Sequence, residues 1–158
     1  MNIDELKSHA LAARREIVTL IYESGIGHPG GALSIIDILT WLYYQEVDLA
    51  ASPRSRVVMS KGHAVAAQYA MLYQKGKIDR SEFSTFRQIN SRLQGHPSIK
   101  SLPEVDATTG LLGRGCRLLW VWRPPKSGAT IRTGCLPSLA MVKCMKAKSG
   151  RRYSRPGI

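Results

Sequence analysis

The chain has 158 residues and a formal net charge of +12, and this length is typical of one domain rather than two. No apolar run approaches the roughly 18 to 20 residues that span a bilayer. Asp4 and Glu5 stand where a secretory or transit peptide would be basic or neutral. These features predict a cytoplasmic protein without a membrane segment.

The positive charge is concentrated at the C-terminal end. Residues 1–113 carry 12 Lys and Arg against 11 Asp and Glu, whereas residues 114–158 carry 11 Lys and Arg and no acidic residue. All three cysteines lie after Gly113, and all four histidines lie before it. Since like charges without acidic partners repel one another, we expect a folded domain over 1–113 and an irregular, disordered basic tail over 114–158.

Two amphipathic helices are predicted before residue 50. The first covers residues 5–23, with Asp4 as its N-cap and Gly25 as its end. The second runs from about Ser34 to Glu46. The apolar positions that repeat at helical spacing are Leu6, Ala10, Ala13, Ile17 and Leu20 in the first helix, and Ile35, Ile36, Leu39, Leu42 and Tyr43 in the second.

A strand, a turn and a helix are predicted next. The stretch RVVMS at 56–60 is apolar and contains two β-branched residues, so it predicts a short strand. Lys61-Gly62 predicts the turn, and AVAAQYAMLYQKG at 64–76 has a helical pattern. A short fourth helix with Ser81 as its cap is predicted in DRSEFSTFRQ at 79–88. The order of strand, turn and helix is typical of an α/β layer.

Three histidines each follow a glycine, at Gly27-His28, Gly62-His63 and Gly95-His96. Glycine lets a backbone approach a ligand closely, and an imidazole donates or accepts a proton near neutral pH. Three such groups could act together on one polar substrate such as a sugar phosphate. They lie too far apart in sequence for a local metal motif, and their spacing alone leaves open a capping or loop role for each.

Four motifs indicate a family. SGIGHPGGALSIIDIL, MSKGHAVAAQYAML, RLQGHP and DATTGLLG resemble, in order and separation, the N-terminal region of transketolases. These enzymes use thiamine diphosphate to transfer two-carbon ketol units between sugar phosphates. The resemblance extends from about Leu6 to Gly113 and is closest to the separate N-terminal subunit of split transketolases. It implies a partial thiamine-diphosphate-binding domain of α/β class, with helices packed on an incomplete parallel sheet.

The resemblance also implies site residues and partners. The active-site histidines of the family match His28, His63 and His96. Its cofactor-binding positions match His63 together with Gly110, Leu111 and Gly113, which lie in the loop that packs against the thiamine pyrimidine. The implied partner is a C-terminal transketolase subunit or half, within a homodimer or heterotetramer.

The expected metal motif is missing. The family holds the cofactor's diphosphate through Mg²⁺ or Ca²⁺ on a Gly-Asp-Gly stretch followed by an Asn, because a hard cation prefers oxygen ligands. This chain has no Gly-Asp-Gly, and no carboxylate follows Gly113. We therefore assign no metal ligand and predict that the chain alone is incomplete and inactive.

The basic tail allows two further interpretations. Trp120 and Trp122 alternate with arginines, as in a non-catalytic protein that binds nucleic acid or an anionic surface. However, the tail has no repeat, no zinc spacing and no helical stripe, and this weighs against nucleic acid. The other interpretation is a frameshift in the gene. In the overlapping frame, each triplet consists of the last base of one codon and the first two bases of the next. Read in this frame, the codons for Leu139 to Arg152 can encode Gly-Asp-Gly-Glu-Met-His-Glu-Gly-Gln-Ile-Trp-Glu-Ala, which resembles the missing metal motif.

Overall fold

The computed structural model describes residues 1–50, 56–110, 131–136 and 139–144. The fold begins with α-helix α1 (Ile3–Ser24), which confirms the first predicted helix. Its N-cap is Asn2 rather than the predicted Asp4, because Asn2 has a glutamate three residues later. Asn2 and Glu5 exchange main-chain to side-chain hydrogen bonds of 2.8 Å in a capping box. Gly25 ends the helix in the left-handed conformation, with φ of 67°.

The second predicted helix is divided in the structure. Helix α2 (Pro29–Leu33) precedes α3 (Ile36–Trp41), and a π-helical turn, Leu42–Glu46, continues α3. Helical structure therefore begins earlier than the predicted Ser34. Proline favours this early start, since its fixed φ suits the first position of a helix.

The segment that contains the predicted strand is buried but forms no strand. Val57, Val58 and Met59 are each at most 2% exposed, yet no strand is found in the described residues up to Gly110. The main-chain amide of Val57 instead donates to the Asp106 carboxylate. The strand assignment was therefore wrong, and the parallel sheet stays a prediction.

Two further helical segments follow. A 3-10 turn, Gly62–Ala64, leads into α4 (Val65–Gln74), in agreement with the third predicted helix. The fourth is a 3-10 helix, Arg80–Thr85, rather than an α-helix. Asp79 caps it in place of the predicted Ser81, because Asp79 forms a capping box with Glu82.

The core lies where α1 and α3 pack against α4. Helix α4 is buried on almost every side, with all eight residues from Val65 to Leu72 buried. It therefore forms the centre of this part of the chain, and α1 contributes only one face to the core. The largest fully buried side chains include Ile17, Leu20, Ile36, Leu39, Tyr43, Tyr69, Met71, Leu72 and Phe83.

The described residues of the tail form a hairpin. Strand β1 (Ile131–Leu136) pairs with β2 (Leu139–Cys144) in antiparallel register, from Ile131 opposite Cys144 to Leu136 opposite Leu139. This regular pairing differs from the irregular tail that we predicted. Ile131, Thr133 and Val142 are β-branched, which favours strands. Residues 111–130 and 145–158 lie outside the described residues, so disorder in them stays a prediction. Among the described residues, no helix combines the length and apolarity needed to cross a membrane.

Candidate functional site

One pocket brings together the three histidines that follow glycines. The pocket has a volume of about 130 Å³. The ring centroids of His28 and His63 lie 6.0 Å apart. The residues that line the pocket are Gly27, His28, His63, Ala66, Phe86, Arg87, Gly95 and His96. Three segments that are far apart in sequence therefore meet at one small pocket.

Each histidine lies beside a helical element. His28 is the N-cap residue of α2, and His63 lies in the 3-10 turn that leads into α4. His96 lies in a loop that is anchored to α4, because the Tyr69 hydroxyl donates to the Gln94 carbonyl at 2.8 Å. His28 and His96 are exposed and His63 is partly buried. The rings can therefore be reached by a ligand.

The glycines at the site allow the segments to approach closely. A Cβ added to Gly62 would lie 2.8 Å from Cδ2 of His96 and 3.0 Å from the Cα of Gly110. A Cβ added to Gly31 would lie 3.1 Å from Cδ2 of His63. The 2.8 Å contact at Gly62 is too short for a Cβ atom, and the contacts of 3.0 and 3.1 Å would need the neighbouring atoms to move by a few tenths of an ångström. The approach at Gly62 therefore depends on the absence of a side chain. This close packing gives a physical reason for glycine at these positions.

Hydrogen bonds join the segments of the site. Val57 donates its main-chain amide to Oδ2 of Asp106 at 2.8 Å. The Thr109 hydroxyl donates to the Met59 carbonyl at 2.5 Å. The Thr109 amide in turn donates to the Pro97 carbonyl at 3.1 Å. Together these bonds connect the segment before His63, the loop after His96 and the segment that ends at Gly110.

The pocket is rich in positive and neutral groups. Burial lowers the pKa of His63, and the charges of Lys61, His28 and His96 lower it further. Lys61 donates from Nζ to the Ser34 hydroxyl at 3.1 Å. No acidic residue lines the pocket. His63 is therefore kept neutral near pH 7 and has a nitrogen lone pair that can accept a proton.

The cofactor and metal predictions are covered only in part by the described residues. Gly110 lies close to Gly62 and to His96, whereas Leu111 and Gly113 lie outside the described residues. The described part of the chain contains no group of three or more His, Cys, Asp or Glu side chains that could hold a metal ion. The fourth histidine, His9, does not line the pocket and stacks on the Tyr44 ring at a centroid distance of 4.1 Å.

The sequence analysis missed Arg87 as a pocket residue. Arg87 lies in a loop, and its φ of 64° falls in the left-handed region that few non-glycine residues adopt. Its guanidinium packs over Gly95, where a Cβ would lie 2.9 Å from Nε. Asp106 and Thr109 were likewise noted only as letters of a motif. No pattern in the sequence distinguishes one exposed arginine in a polar loop from its neighbours.

Comparisons with known proteins identify the family of the chain. Residues 7–119 match the family model described as transketolase, thiamine diphosphate binding domain. A subunit of the apulose-4-phosphate transketolase of Phocaeicola vulgatus is 37% identical over 120 residues, which are 73% of this chain and 42% of that protein. The 6-deoxy-6-sulfo-D-fructose transketolase subunit SqwG of a Clostridium species is 33% identical over 116 residues, or 70% of this chain and 42% of that protein.

A solved structure shows the same similarity. The transketolase of Campylobacter jejuni superposes with a TM-score of 0.65 at 34% identity, over 72% of this chain and 19% of that one. The chain thus spans less than half the length of these curated relatives. Since the family model covers more than half of the chain, the chain belongs to the transketolase family and contains part of its thiamine diphosphate-binding domain.

Proposed function

We propose that this chain is the N-terminal part of a transketolase-type subunit. With thiamine diphosphate and a C-terminal partner subunit, it would transfer a two-carbon ketol unit from a ketose phosphate to an aldose phosphate. The observation that carries the proposal is the meeting of His28, His63 and His96 at one pocket in a chain of this family. A cytoplasmic location stays part of the proposal.

The histidines would bind the polar groups of substrate and cofactor and move protons. His63, whose pKa is lowered by burial and nearby positive charge, would accept a proton or a hydrogen bond at a ring nitrogen. His28 and His96 are exposed and would hydrogen-bond substrate hydroxyls. When bound, thiamine diphosphate supplies the carbanion-stabilising thiazolium chemistry. The other contribution of the chain is placement, because its glycines let the segments of the site come close together.

The residues present fit part of the cofactor site. The close approach of Gly62 and Gly110 leaves backbone rather than side chains beside His96, which suits a cofactor packed against the backbone at Gly110. The metal ion does not fit. All 11 acidic residues lie at or before Asp106, and the described residues form no metal cluster. Ligands for Mg²⁺ or Ca²⁺ would therefore have to come from a restored reading frame or another chain.

The names of the relatives support a partner and a substrate class. Both curated proteins are named as transketolase subunits, and both names include a sugar with an anionic group. We therefore propose that the partner is a C-terminal transketolase subunit or half, and that the assembly is a homodimer or a heterotetramer. The proposed substrates are sugar phosphates.

The test is an assembly experiment. A frame-restored chain would be combined with its C-terminal partner, and thiamine diphosphate binding and ketol transfer would be measured. His63→Ala and His96→Ala should each lower turnover by about 10²-fold, the scale of general acid-base contributions, while His9→Ala serves as the matched control. Full activity in both site variants, or no cofactor binding by the assembly, would contradict the proposed function.

A further inference from the structure

Arg87 places a cation at the three-histidine pocket. The residue lines the pocket together with His28, His63 and His96, and its guanidinium packs against the backbone of Gly95, the neighbour of His96. Arg87 itself is exposed to solvent. A guanidinium in this position presents several N–H donors in a fixed plane, which matches the oxygens of a phosphate.

Within residues 1–50 and 56–110, no carboxylate forms an ion pair with Arg87. Every acidic residue of the sequence falls within the parts that the structure describes. Five of these 11 carboxylates pair with other arginines: Asp37 with Arg14, Asp106 with Arg56, Glu23 with Arg80, and Glu82 and Glu104 with Arg92. The pocket lining also contains no acidic group. The charge of Arg87 is therefore available to an anionic ligand.

The main chain, not the side chain, holds Arg87 in place. Its amide donates to the Leu93 carbonyl at 2.8 Å, and any residue except proline could make this bond. The left-handed φ of 64° favours glycine over arginine. The backbone therefore gives no reason for an arginine at this position, whereas its side chain lies at the pocket.

We propose that Arg87 binds a phosphate group that enters the three-histidine pocket. The volume of about 130 Å³ equals roughly four molecules of liquid water, enough for one tetrahedral oxyanion. Its source is either the phosphate of a sugar or the diphosphate of a cofactor, and both share this chemistry. The inference deepens the proposed function, on which the choice of source rests, but binding of phosphate itself requires no ketol transfer.

In the experiment, inorganic phosphate is titrated into the full chain and binding is monitored by NMR. The observed signals are the ring resonances of His28, His63 and His96 and the Nε–H of Arg87. These site-specific signals are needed because the basic tail carries 11 Lys and Arg, whose positive charges attract phosphate wherever they lie. We expect saturable shifts of the pocket signals in the unmodified chain.

Four variants isolate the guanidinium. Arg87→Gly should weaken phosphate binding at the pocket by about tenfold or more, the scale of a charge-assisted hydrogen bond, without loss of stability since glycine accepts the positive φ. Arg87→Lys keeps the charge without the planar fork and should bind with intermediate strength. Gly95→Ala should displace the guanidinium and weaken binding. Arg15→Gln is the matched control, because Arg15 is exposed on α1 and more than two helical turns from its pocket end.

The outcomes separate the possibilities. Shifts that vanish in Arg87→Gly and persist in Arg15→Gln support the proposal, whereas equal binding by Arg87→Gly and the unmodified chain overturns it. Tighter binding of ribose 5-phosphate than of phosphate, with ribose as control, assigns the group to a sugar. Tighter binding of pyrophosphate assigns it to a cofactor. If the assembled protein binds phosphate at the pocket in a way that depends on Arg87 and yet fails to transfer ketol units, that result would refute only the proposed function.

Discussion

The main-chain amide of Val57 donates a hydrogen bond of 2.8 Å to the side-chain carboxylate of Asp106. This bond joins the segment that leads to His63 with the segment that ends at Gly110. Asp106 is only 5% exposed, and Nη1 of Arg56 lies 3.7 Å from its other oxygen. The buried carboxylate thus accepts a hydrogen bond from a backbone amide that, in a sheet, would donate to a neighbouring strand.

Replacement of Asp106 should therefore loosen the site as well as the fold. We expect Asp106→Ala to lower the free energy of unfolding by about 2 to 4 kcal/mol, because a buried amide loses its partner and Arg56 its counterion. Asp106→Asn keeps an acceptor and should cost about 1 kcal/mol. Urea denaturation measures both.

Asp37→Asn is the control for this change, since the ion pair of Asp37 with Arg14 is on the surface and such pairs contribute about 0 to 1 kcal/mol. The ring signals of His63 and His96 should shift in Asp106→Ala and not in the control. Equal stability of Asp106→Ala and Asp37→Asn would show that the carboxylate does not hold the two segments together.

The contact between Gly62 and Gly110 yields a second prediction. Gly62→Ala should destabilise the protein by about 1 to 3 kcal/mol, because the new methyl group meets backbone at 3.0 Å and the His96 ring at 2.8 Å. Gly30→Ala is the matched control: a Cβ there meets nothing within 4 Å, and alanine suits a helix better than glycine. Thermal unfolding compares the two, and a Gly62→Ala variant as stable as Gly30→Ala would contradict the close approach.

Sequence reasoning succeeded where one local property determines the structure. The repeat of Ala10, Ala13, Ile17 and Leu20 predicted α1, because burial of one helix face requires that period. The apolar run at 56–60 predicted a strand, because no local pattern reveals that the Val57 amide donates to a side chain forty-nine residues away. The convergence of the histidines followed from the family resemblance and not from their spacing. Arg87 was missed because its role depends on a positive φ and on contact with Gly95.

The protonation of His63 should make stability depend on pH. Its pKa in the folded protein is lowered from the ordinary value of about 6.5, so the unfolded chain binds more protons between the two values. The contribution of His63 to the free energy of unfolding is therefore greatest above about pH 6.5. It falls as the pH decreases towards the folded-state pKa and is constant below that value. His63→Gln should remove this fall, as measured by urea denaturation across that range.

The same electrostatics can be tested without unfolding. The charge of His28 contributes to the lowered pKa of His63, so His28→Gln should raise the pKa of the His63 ring in an NMR titration. His9→Gln is the control, because His9 stacks on Tyr44 and not on the pocket residues. A His63 pKa that stays the same in His28→Gln would show that the two rings do not interact.

The missing metal ligands predict weak cofactor binding by this chain. Without a cation held by carboxylates, the diphosphate lacks most of its charge compensation. We expect no micromolar binding of thiamine diphosphate in the presence of Mg²⁺ when the chain is alone. Calorimetry measures this directly, with and without EDTA, and tight binding that EDTA abolishes would refute the expectation.

The last prediction concerns the reading frame of the tail. If bases were lost or gained near codon 113, the overlapping frame should already spell Gly-Asp-Gly at Leu139 to Val142. Met141-Val142 must yield Gly in that frame, because methionine has one codon. The Asp triplet requires Ala140 to be encoded by GCG, and the following Glu requires Val142 to be encoded by GTG. One insertion or deletion would explain both the absent metal motif and the loss of acidic residues after Asp106. Sequencing the gene tests this: GCA, GCC or GCT at Ala140, or a stop in the overlapping frame before its Gly-Asp-Gly, would reject the frameshift. In that case the tail again becomes a candidate arm for nucleic acid or an anionic surface.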